Sequence, residues 1–586
     1  MKRFLTVFIL LTMVAASLFA QKTVVQVESD LAGEGNLNQA VADAVNAGTL
    51  SNTVFELEPY GYYILTSSIV VPAGEVLEIV GPEPGDTQDT SPPQIVWTAQ
   101  GGVSTDFLIE SFGEIYLKNV WILYANAAGD QVGTTIQIRP NPNGPERATF
   151  ENVIFDWSPA PPGGGGAVTN TSEGLIAIFR NSYFKNATDF HLRYYGRALS
   201  FPYEARGWHN EYVLFENTTF ANIGYVYMQE ENNWGDNVHF NHCTFLNTVM
   251  FTLQTGWWHR MSVTNSIFVN PFMFGYIPAG LGETGEMNGS TIRIDSVETF
   301  PFSVPFDDQN RRILFANNSH YYEEWLRDWI ANNPYAERLR DDFREDEIPV
   351  LHPPLSPLTL EFLEGTDENG NKLFPYMNKA NFYDDTDPGF VEAPTNLEDL
   401  KDFLMRKWDD NTQNMWAYYP EDGINQMWPM REDLSYTNEA LQTASLGGFP
   451  LGDLYRWWPD KYEEWEAQRE SEWDRIEQWL ETGHDPLTSV SELPGNDIPS
   501  EYTLSQNYPN PFNPATKIEY SIPVSGHVTL KIYNALGQEV VTLHDDYQEA
   551  GRYVANFDAS GLPSGVYMYR LSTNENSLTK RLVLIK

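Results

Sequence analysis

A phrase of the form Phe-x-Asn-x-x-Phe-x-Asn returns along the first half of this 586-residue chain and constrains its fold more than any other feature. The copies are Phe150/Asn152/Phe155, Phe179/Asn181/Phe184/Asn186, Phe215/Asn217/Phe220/Asn222, Phe240/His242/Phe245/Asn247 and Val263/Asn265/Phe268/Asn270, with weaker ones at Leu117/Asn119/Ile122 and Phe315/Asn317. Their middle residues are separated by 33, 29, 36, 25, 23 and 52 residues, within the range of stacked-repeat folds. Asn tolerates left-handed backbone angles and hydrogen-bonds its own turn, so it suits a sharp corner between short strands, while the flanking Phe residues face a shared core. One coil cannot bury that face alone. Stacked coils can, and their Asn side chains can then form a ladder. A tight coil takes roughly twenty-odd residues, so the excess must be loops of varying length at fixed corners, where binding usually resides.

Over residues 50–320 this pattern resembles the right-handed parallel β-helix of the pectate-lyase-like superfamily, in fold pattern rather than in a catalytic signature. The expected fold class is all-β: a right-handed parallel β-helix, a helical, Trp-rich side layer and a small C-terminal β-sandwich. The paired-Asp and Gly-His-Gly pattern of β-helix polygalacturonases is missing, which weighs against a hydrolase.

The two ends concern export. Residues 1–20 read as a signal peptide: Lys2 and Arg3 lead, Phe4 to Val14 are apolar, and Leu18-Phe19-Ala20 precedes Gln21 as a cleavage site. The apolar run is short for a membrane anchor, and no transmembrane segment is expected in the mature chain. At the other end, Asn507-Tyr508-Pro509-Asn510-Pro511-Phe512-Asn513-Pro514, Tyr533-Asn534-Ala535-Leu536-Gly537-Gln538 and Gly561-Leu562-Pro563-Ser564-Gly565-Val566-Tyr567 punctuate short alternating strands, the pattern of a small sandwich. With the basic, apolar tail Lys580 to Lys586, these motifs resemble the type IX secretion system sorting domain, type A. The resemblance implies the type IX secretion machinery as a partner, export through the outer membrane of a Bacteroidota-like bacterium, removal of the domain, and a secreted or cell-surface product.

Between these ends, residues 21–320 are read as the β-helix, 321–487 as a helical and loop-rich segment packed on it, 488–503 as a linker and 504–586 as the sorting domain. The second of these segments holds ten of the seventeen tryptophans. Tyr322, Trp325, Leu326, Trp329 and Ile330 fall at helical spacing, as do Leu397, Leu400, Phe403 and Leu404, and then Trp465, Trp473, Ile476 and Leu480. Pro459 and Gly483 bracket the last group. These tryptophans are expected in a packed layer rather than on a ligand platform. The formal net charge of -44 disfavours nucleic acid as a partner. The single cysteine, Cys243, excludes an intramolecular disulfide and reads as a small core residue.

Aligning the coils on the second Phe places Asp189, His191 and Arg193 on the outer face of one strand, Tyr225, Tyr227 and Gln229 on the next, and Met250, Thr252 and Gln254 beyond. Coils spaced about 4.8 Å apart would then stack His191, Tyr227 and Thr252 in one column and Arg193, Gln229 and Gln254 in another. Loops leaving these strands add Arg197, Arg206, Trp208 and His209, then Glu230, Glu231, Trp234 and Asp236, then Trp257 and Trp258. Aromatic faces beside hydrogen-bonding groups suit a sugar chain, and Arg180, Lys185, Arg193, Arg197 and Arg206 concentrate positive charge here in an acidic protein.

The expectation is a secreted or cell-surface polysaccharide-binding protein, with a uronate lyase working by β-elimination as its catalytic form. Arg193 or Arg197 would neutralise the substrate carboxylate or act as base, and His191, Tyr227 or His209 would carry protons. Glu230, Glu231 and Asp236 could hold a Ca²⁺ ion bridging to substrate. Substrate contacts would come from Arg197, Arg206, Trp208, His209, Gln229, Trp234, Gln254, Trp257 and Trp258. A hydrolase would pair Asp189 with Glu230 across the scissile bond. The alternative is a noncatalytic adhesin or matrix protein.

Overall fold

The computed structural model describes residues 22–586 except 31, 98–106, 124–133, 142–145, 157–165, 189–195, 202–206, 230–232, 251, 255, 278–289, 369, 410–415, 487–489, 493–498, 560–561, 574–575 and 586. Each coil of the first half contributes up to three short parallel strands. In one coil these are Arg147–Glu151, Ile154–Asp156 and Val168–Asn170, after which the chain re-enters the first sheet at Leu175–Arg180. Stacked coils form a first and a second sheet, joined into a 19-stranded array because Arg312–Tyr321 runs through both, and a third sheet of seven strands. The stack is a parallel β-helix. It begins at Thr23–Val27 and extends to Met377–Asp384, whose pairing with Arg312–Tyr321 carries it past the span in which the repeat is legible.

The repeat does what its chemistry requires. Asn119, Asn152, Asn181, Asn217, His242, Asn265 and Asn317 all have φ between 47° and 56°, forming the corner between the first and second sheets. Asn186, Asn222, Asn247 and Asn270 form a second left-handed column at the far end of the second sheet, with φ of 48–59°. Ladder bonds link successive coils: Asn152 Nδ2 to Asn119 Oδ1 (2.9 Å), Asn247 Nδ2 to Asn222 Oδ1 (3.1 Å) and Asn270 Nδ2 to Asn247 Oδ1 (2.9 Å). Inside, Phe150, Phe179, Phe215 and Phe240 stack at centroid spacings of 4.8, 4.5 and 5.0 Å. A second file, Phe155, Phe184, Phe220, Phe245 and Phe268, stacks at 4.6, 5.3, 5.1 and 4.4 Å. Each such pair adds about 0.5–1.5 kcal/mol beyond the area it buries. Cys243 lies in the same core.

Caps close the core at both ends. Helix Asn36–Ala47 places Leu37, Val41 and Ala44 against the first coils, and helix Pro357–Glu364 places Phe362 and Leu363 against the last.

From residue 321 the chain turns back along the stack as a strap. Its helices include Glu324–Asn332, Leu397–Asp409, Pro459–Glu466 and Arg469–Thr482, with Gly483 (φ 74°) ending the last in the left-handed form. Trp473, Ile476, Trp479 and Leu480 cover Ile178, Leu214 and Leu314 on the outer face of the first sheet. Leu434, Tyr436, Leu441 and Leu451 cover Trp121, Ile154, Tyr183, Leu246 and Ile267 on the second. The tryptophans of this segment are therefore packing residues: Trp465 is 1 % exposed and Trp473 9 %. Parallel sheets are characteristically buried on both faces, and here the same chain supplies the cover.

The Asn corners hold the strap as well as the coils. Leu454 N donates to Asn217 Oδ1, Leu446 N to Asn265 Oδ1 and Tyr418 N to Asn186 Oδ1, while Asn222 Nδ2 donates to Pro394 O and Asn317 Nδ2 to Ala444 O. The segment Leu446-Gly447-Gly448-Phe449-Pro450-Leu451-Gly452-Asp453 is one of these clips. Gly452 N donates to Asn265 O, Asp453 N to Thr244 Oγ1, and Thr219 Oγ1 to Asp453 Oδ2 at 2.7 Å.

The C-terminal region is a sandwich of two four-stranded antiparallel sheets with its own core. Strand Val490–Glu492, from the stretch read as a linker, pairs with Gly551–Asp558 at its edge. The Asn507–Pro514 motif is structural: Asn507 Nδ2 donates to Thr516 Oγ1, Val583 N donates to Asn510 Oδ1, and the Phe512 ring is in the core.

Two outcomes follow. Asn247→Ala should lower unfolding free energy by about 2–4 kcal/mol, from lost buried hydrogen bonds and a left-handed alanine. Asn247→Gly should lose about 1 kcal/mol less, as read by denaturant titration. Burial, opposed in part by Arg456, pushes the Asp453 carboxyl up to about 7. Because the folded form holds that proton more tightly than the unfolded one, stability contributed by Asp453 falls as pH rises from about 4 to about 7. Asp453→Asn should flatten that part of the melting-temperature profile, so that the variant gains on the wild type as pH increases.

Candidate functional site

The third sheet differs from the other two on its outer face. Register aligns Ile69, Ile109, Ile136, Val168, Leu199, Tyr227 and Leu253 in one column, continued by bridges to Ile292 and Leu355, and every member is in the core. The adjacent column runs Val70, Glu110, Gln137, Thr169, Ser200, Met228 and Gln254. Its central members, Glu110, Gln137, Thr169 and Ser200, are polar where the other sheets present apolar residues to the strap, and the last three of them are buried. Gln137 Nε2 lies 3.3 Å from Thr171 Oγ1, and the Thr169 and Ser200 hydroxyls are 3.2 Å apart.

This register corrects the columns expected from spacing. Tyr227 pairs with Leu253 rather than Thr252, and Met228 rather than Gln229 pairs with Gln254. A one-residue slip exchanges the faces of a strand, so Tyr227 turns inward. It is 1 % exposed, receives Asn210 Nδ2 on its hydroxyl at 2.5 Å, and burial pushes its phenol well above the usual range. A sealed phenol cannot carry protons for a ligand. In the preceding coil the third-sheet strand is Arg197–Phe201, later than the stretch expected from the alignment. Arg197 is consequently 2 % exposed, with its guanidinium 5.9 Å from the Tyr225 ring centroid, rather than in an open loop. Thr252 is also buried and donates to Pro271 O.

Where the chain passes from the third sheet back to the first, successive coils bring a row of rings together. His209, at the start of His209–Glu216, pairs in register with Trp234 and stacks on its indole at 4.6 Å and 13°. Phe306 meets Trp234 edge-on at 5.2 Å, and His259 stacks on Phe306 at 4.6 Å and 8°. Each imidazole is paired with a carboxylate through Nδ1: His209 with Glu173 at 2.7 Å and His259 with Asp236 at 2.5 Å. An ionised carboxylate only accepts, so Nδ1 carries the proton and Nε2 is the nitrogen presented to a ligand. These groups are partly open, with side-chain exposures of 24 % for His209, 33 % for His259 and 30 % for Asp236. Trp208 is half-buried beside them in sequence, and its carbonyl accepts from Trp234 N.

The segment 296–310 completes the row. Trp257 packs on Phe300 at 4.9 Å, and its indole nitrogen donates to Ser296 O and Thr299 Oγ1. Arg311 fixes this segment from within: fully buried, it donates Nε to Trp258 O (2.6 Å), Nη1 to Asp295 O and Asp308 Oδ1 (2.7 and 2.8 Å), and Nη2 to Gly256 O. His259 was placed on this wall by the Trp257-Trp258-His259-Arg260 run but given no role. Phe300, Phe306 and Arg311 were missed by sequence reasoning, because they follow stretch 278–289 and have no repeat to place them.

Of the other expected site residues, His209, Trp234, Asp236 and Trp257 come together in this row. Trp258 does not join them: it is fully buried against Tyr227, at 5.3 Å between ring centroids. The backbones of Gln229 and Gln254 belong to the third sheet. Asp189, His191, Arg193, Arg206, Glu230 and Glu231 lie outside the described residues. Two residues of the expected positive patch lie elsewhere. Arg180 pairs with Glu216 at 3.2 Å and Lys185 with Glu432 at 2.5 Å, both on the strap side. Of the three carboxylates suggested for Ca²⁺, only Asp236 is described, and His259 engages it. Among the described residues no group of three or more His, Cys, Asp or Glu is arranged to hold a metal.

Fold and termini define the class: a parallel β-helix with a strap, followed by a separate sandwich that carries an export signal. Residues 506–586 match the family model for the secretion system C-terminal sorting domain. The chain is thus a type IX secretion cargo, exported to the cell surface or the medium. No curated protein and no solved structure matches it. No helix among the described residues is long and apolar enough to cross a membrane.

Arg311→Ala should cost about 3–5 kcal/mol, the typical penalty for removing one member of a buried, hydrogen-bonded charge cluster. Tryptophan emission should shift to the red as Trp234 and Trp257 lose cover, and differential scanning calorimetry with fluorescence checks both effects.

Proposed function

We propose that this protein binds polysaccharide at the edge between its third and first sheets, outside the cell. The observation that carries the reading is the partly exposed group Trp208, His209, Phe306 and His259, backed by the buried rings Trp234 and Trp257 and with a carboxylate on each imidazole. Aromatic faces take the C–H faces of pyranose rings, while Nε2 atoms and carboxylates take hydroxyls. The strap covers the outer faces of the first and second sheets, while at the passage from the third sheet to the first His209, Glu173, His259 and Asp236 stay partly exposed. Export through the sorting domain supports a partner outside the cell.

The reading stops at binding. β-Elimination would draw on Arg193 and His191, and calcium on Glu230 and Glu231, with Tyr227 withdrawn into the core. Affinity electrophoresis of the protein through gels containing single polysaccharides tests binding, with ultraviolet absorbance monitored for unsaturated uronate. Retardation that is lost in a Trp208→Ala/His209→Ala double variant, without product formation, is the expected result. Product formation on any substrate would convert the protein into a lyase, and unretarded migration on every polymer would sink the binding reading.

A further inference from the structure

Among the described residues sixteen large apolar side chains are exposed, and seven of them lie between residues 504 and 586. Scattered singly, such residues are ordinary surface. Here several are gathered on one face. In the sandwich sheet built from Gly526–Tyr533, Glu539–Gln548, Gly565–Thr573 and Ser577–Leu584, alternate residues such as Leu530, Ile532, Tyr567, Tyr569, Leu582 and Leu584 fill the core. The residues between them face outward. Register sets Met568 between Tyr533 and Arg581, with Val566 beside Val583 in the next outward row. Val566 is 45 % exposed and Met568 37 %. The hairpin after Tyr533 brings Leu536, 84 % exposed, to the same end of the sheet, and Ile585 follows Val583 there. On the outer face of the other sandwich sheet the exposed residues Lys517, Glu519 and Arg552 are charged.

We infer that this apolar end of the sheet is where the sorting domain docks on a protein of the type IX export machinery, and that the partner's contact site is apolar with carboxylates at its rim. The family match makes recognition by that machinery the task of this domain. Tyr, Met and Arg are enriched at protein interfaces, and Tyr533, Met568, Arg570 and Arg581 share the face. Arg570 lies over the Tyr533 ring at 5.3 Å and donates to the Thr579 hydroxyl at 3.3 Å, both uncharged groups, and Arg581 is exposed. Lys531, on the same face, is paired with Asp545 at 3.0 Å. Residues 504–586 hold seven Lys and Arg against seven Asp and Glu, whereas the whole chain has a formal net charge of -44. An anionic lipid surface would repel a chain so charged, and a second copy would set the same arginines against each other. A protein with a carboxylate rim meets neither penalty.

The test is export of the full chain from a bacterium that has a type IX system, read as the fraction reaching the surface and medium against the fraction held in the periplasm. Val566→Glu/Met568→Glu should lower the exported fraction about tenfold, the loss expected when anchors of an interface are replaced. Lys517→Glu makes the same change in charge on the outer face of the other sheet and should export like the wild type. All three side chains point away from the core, and thermal melting of the purified variants checks that each folds. Full export of the double variant, or equal loss in both, overturns the assignment. A photo-crosslinking residue at position 568 of the otherwise unaltered chain reads the contact independently of those variants. An adduct with an identified component of the export machinery, not formed from position 519, is expected. An adduct only with lipid or with a second copy of the chain, or no adduct, overturns the docking surface.

Discussion

The whole molecule depends on an asparagine in a left-handed turn. At each corner the residue must adopt positive φ, which a β-branched or large side chain resists, and it must also satisfy polar groups on both sides of the turn. Asn does both. Asn247 shows the economy: it donates to Asn222 and to Thr395 and accepts from Asn270, so one side chain joins three coils and the strap. Glycine would permit the angle without the bonds. His242, the one histidine among these corners, keeps φ at 52° and faces Gly452 O and Glu472, again on the strap.

Because the corners bond outward, the strap is positioned by the same residues that turn the coils. That coupling explains how a segment that is largely helix and loop stays in register along a sheet stack. It also accounts for the buried charges. Lys185 and Glu432 form an ion pair 2.5 Å long beneath the strap, joined by the Tyr183 hydroxyl at 3.1 Å. Burial alone would lower the lysine and raise the glutamate, but each charge outweighs that for its partner, so both remain ionised. Such pairs contribute little net stability against apolar substitutes and are costly to break singly. Their effect is to penalise any other seating of the strap.

Reading the sequence recovers the elements governed by side-chain period and misses those governed by loop length. The Phe and Asn files are visible because both corners lie within a few residues of one another, so spacing cannot drift. Helices such as Arg469–Thr482 are visible through Trp473, Ile476 and Leu480. The third sheet was misplaced because its strand begins 13 residues after Phe184, 5 after Phe220 and 8 after Phe245. No fixed offset finds it, and alternation of two means that an error of one residue exposes a core tyrosine on paper. Part of the basic cluster, Arg180 and Lys185, misled for a related reason. Proximity in sequence says nothing of face, and Arg180 and Lys185 are separated from the edge by the wall of the coil itself.

The separation of cores bears on how the export domain and the β-helix are joined. The sandwich core is built wholly from residues 504 to 584, and the clusters that hold the β-helix and strap contain none of these. Removing the sorting domain therefore opens none of the packing that supports Trp234, Phe306 or Arg311. Among the described residues it would undo the pairing of Val490–Glu492 with the edge strand Gly551–Asp558, three residues of antiparallel ladder. A junction of that size is weak compared with either core. The edge that carries Trp234, Phe306 and Arg311 thus shares no core with the sorting domain.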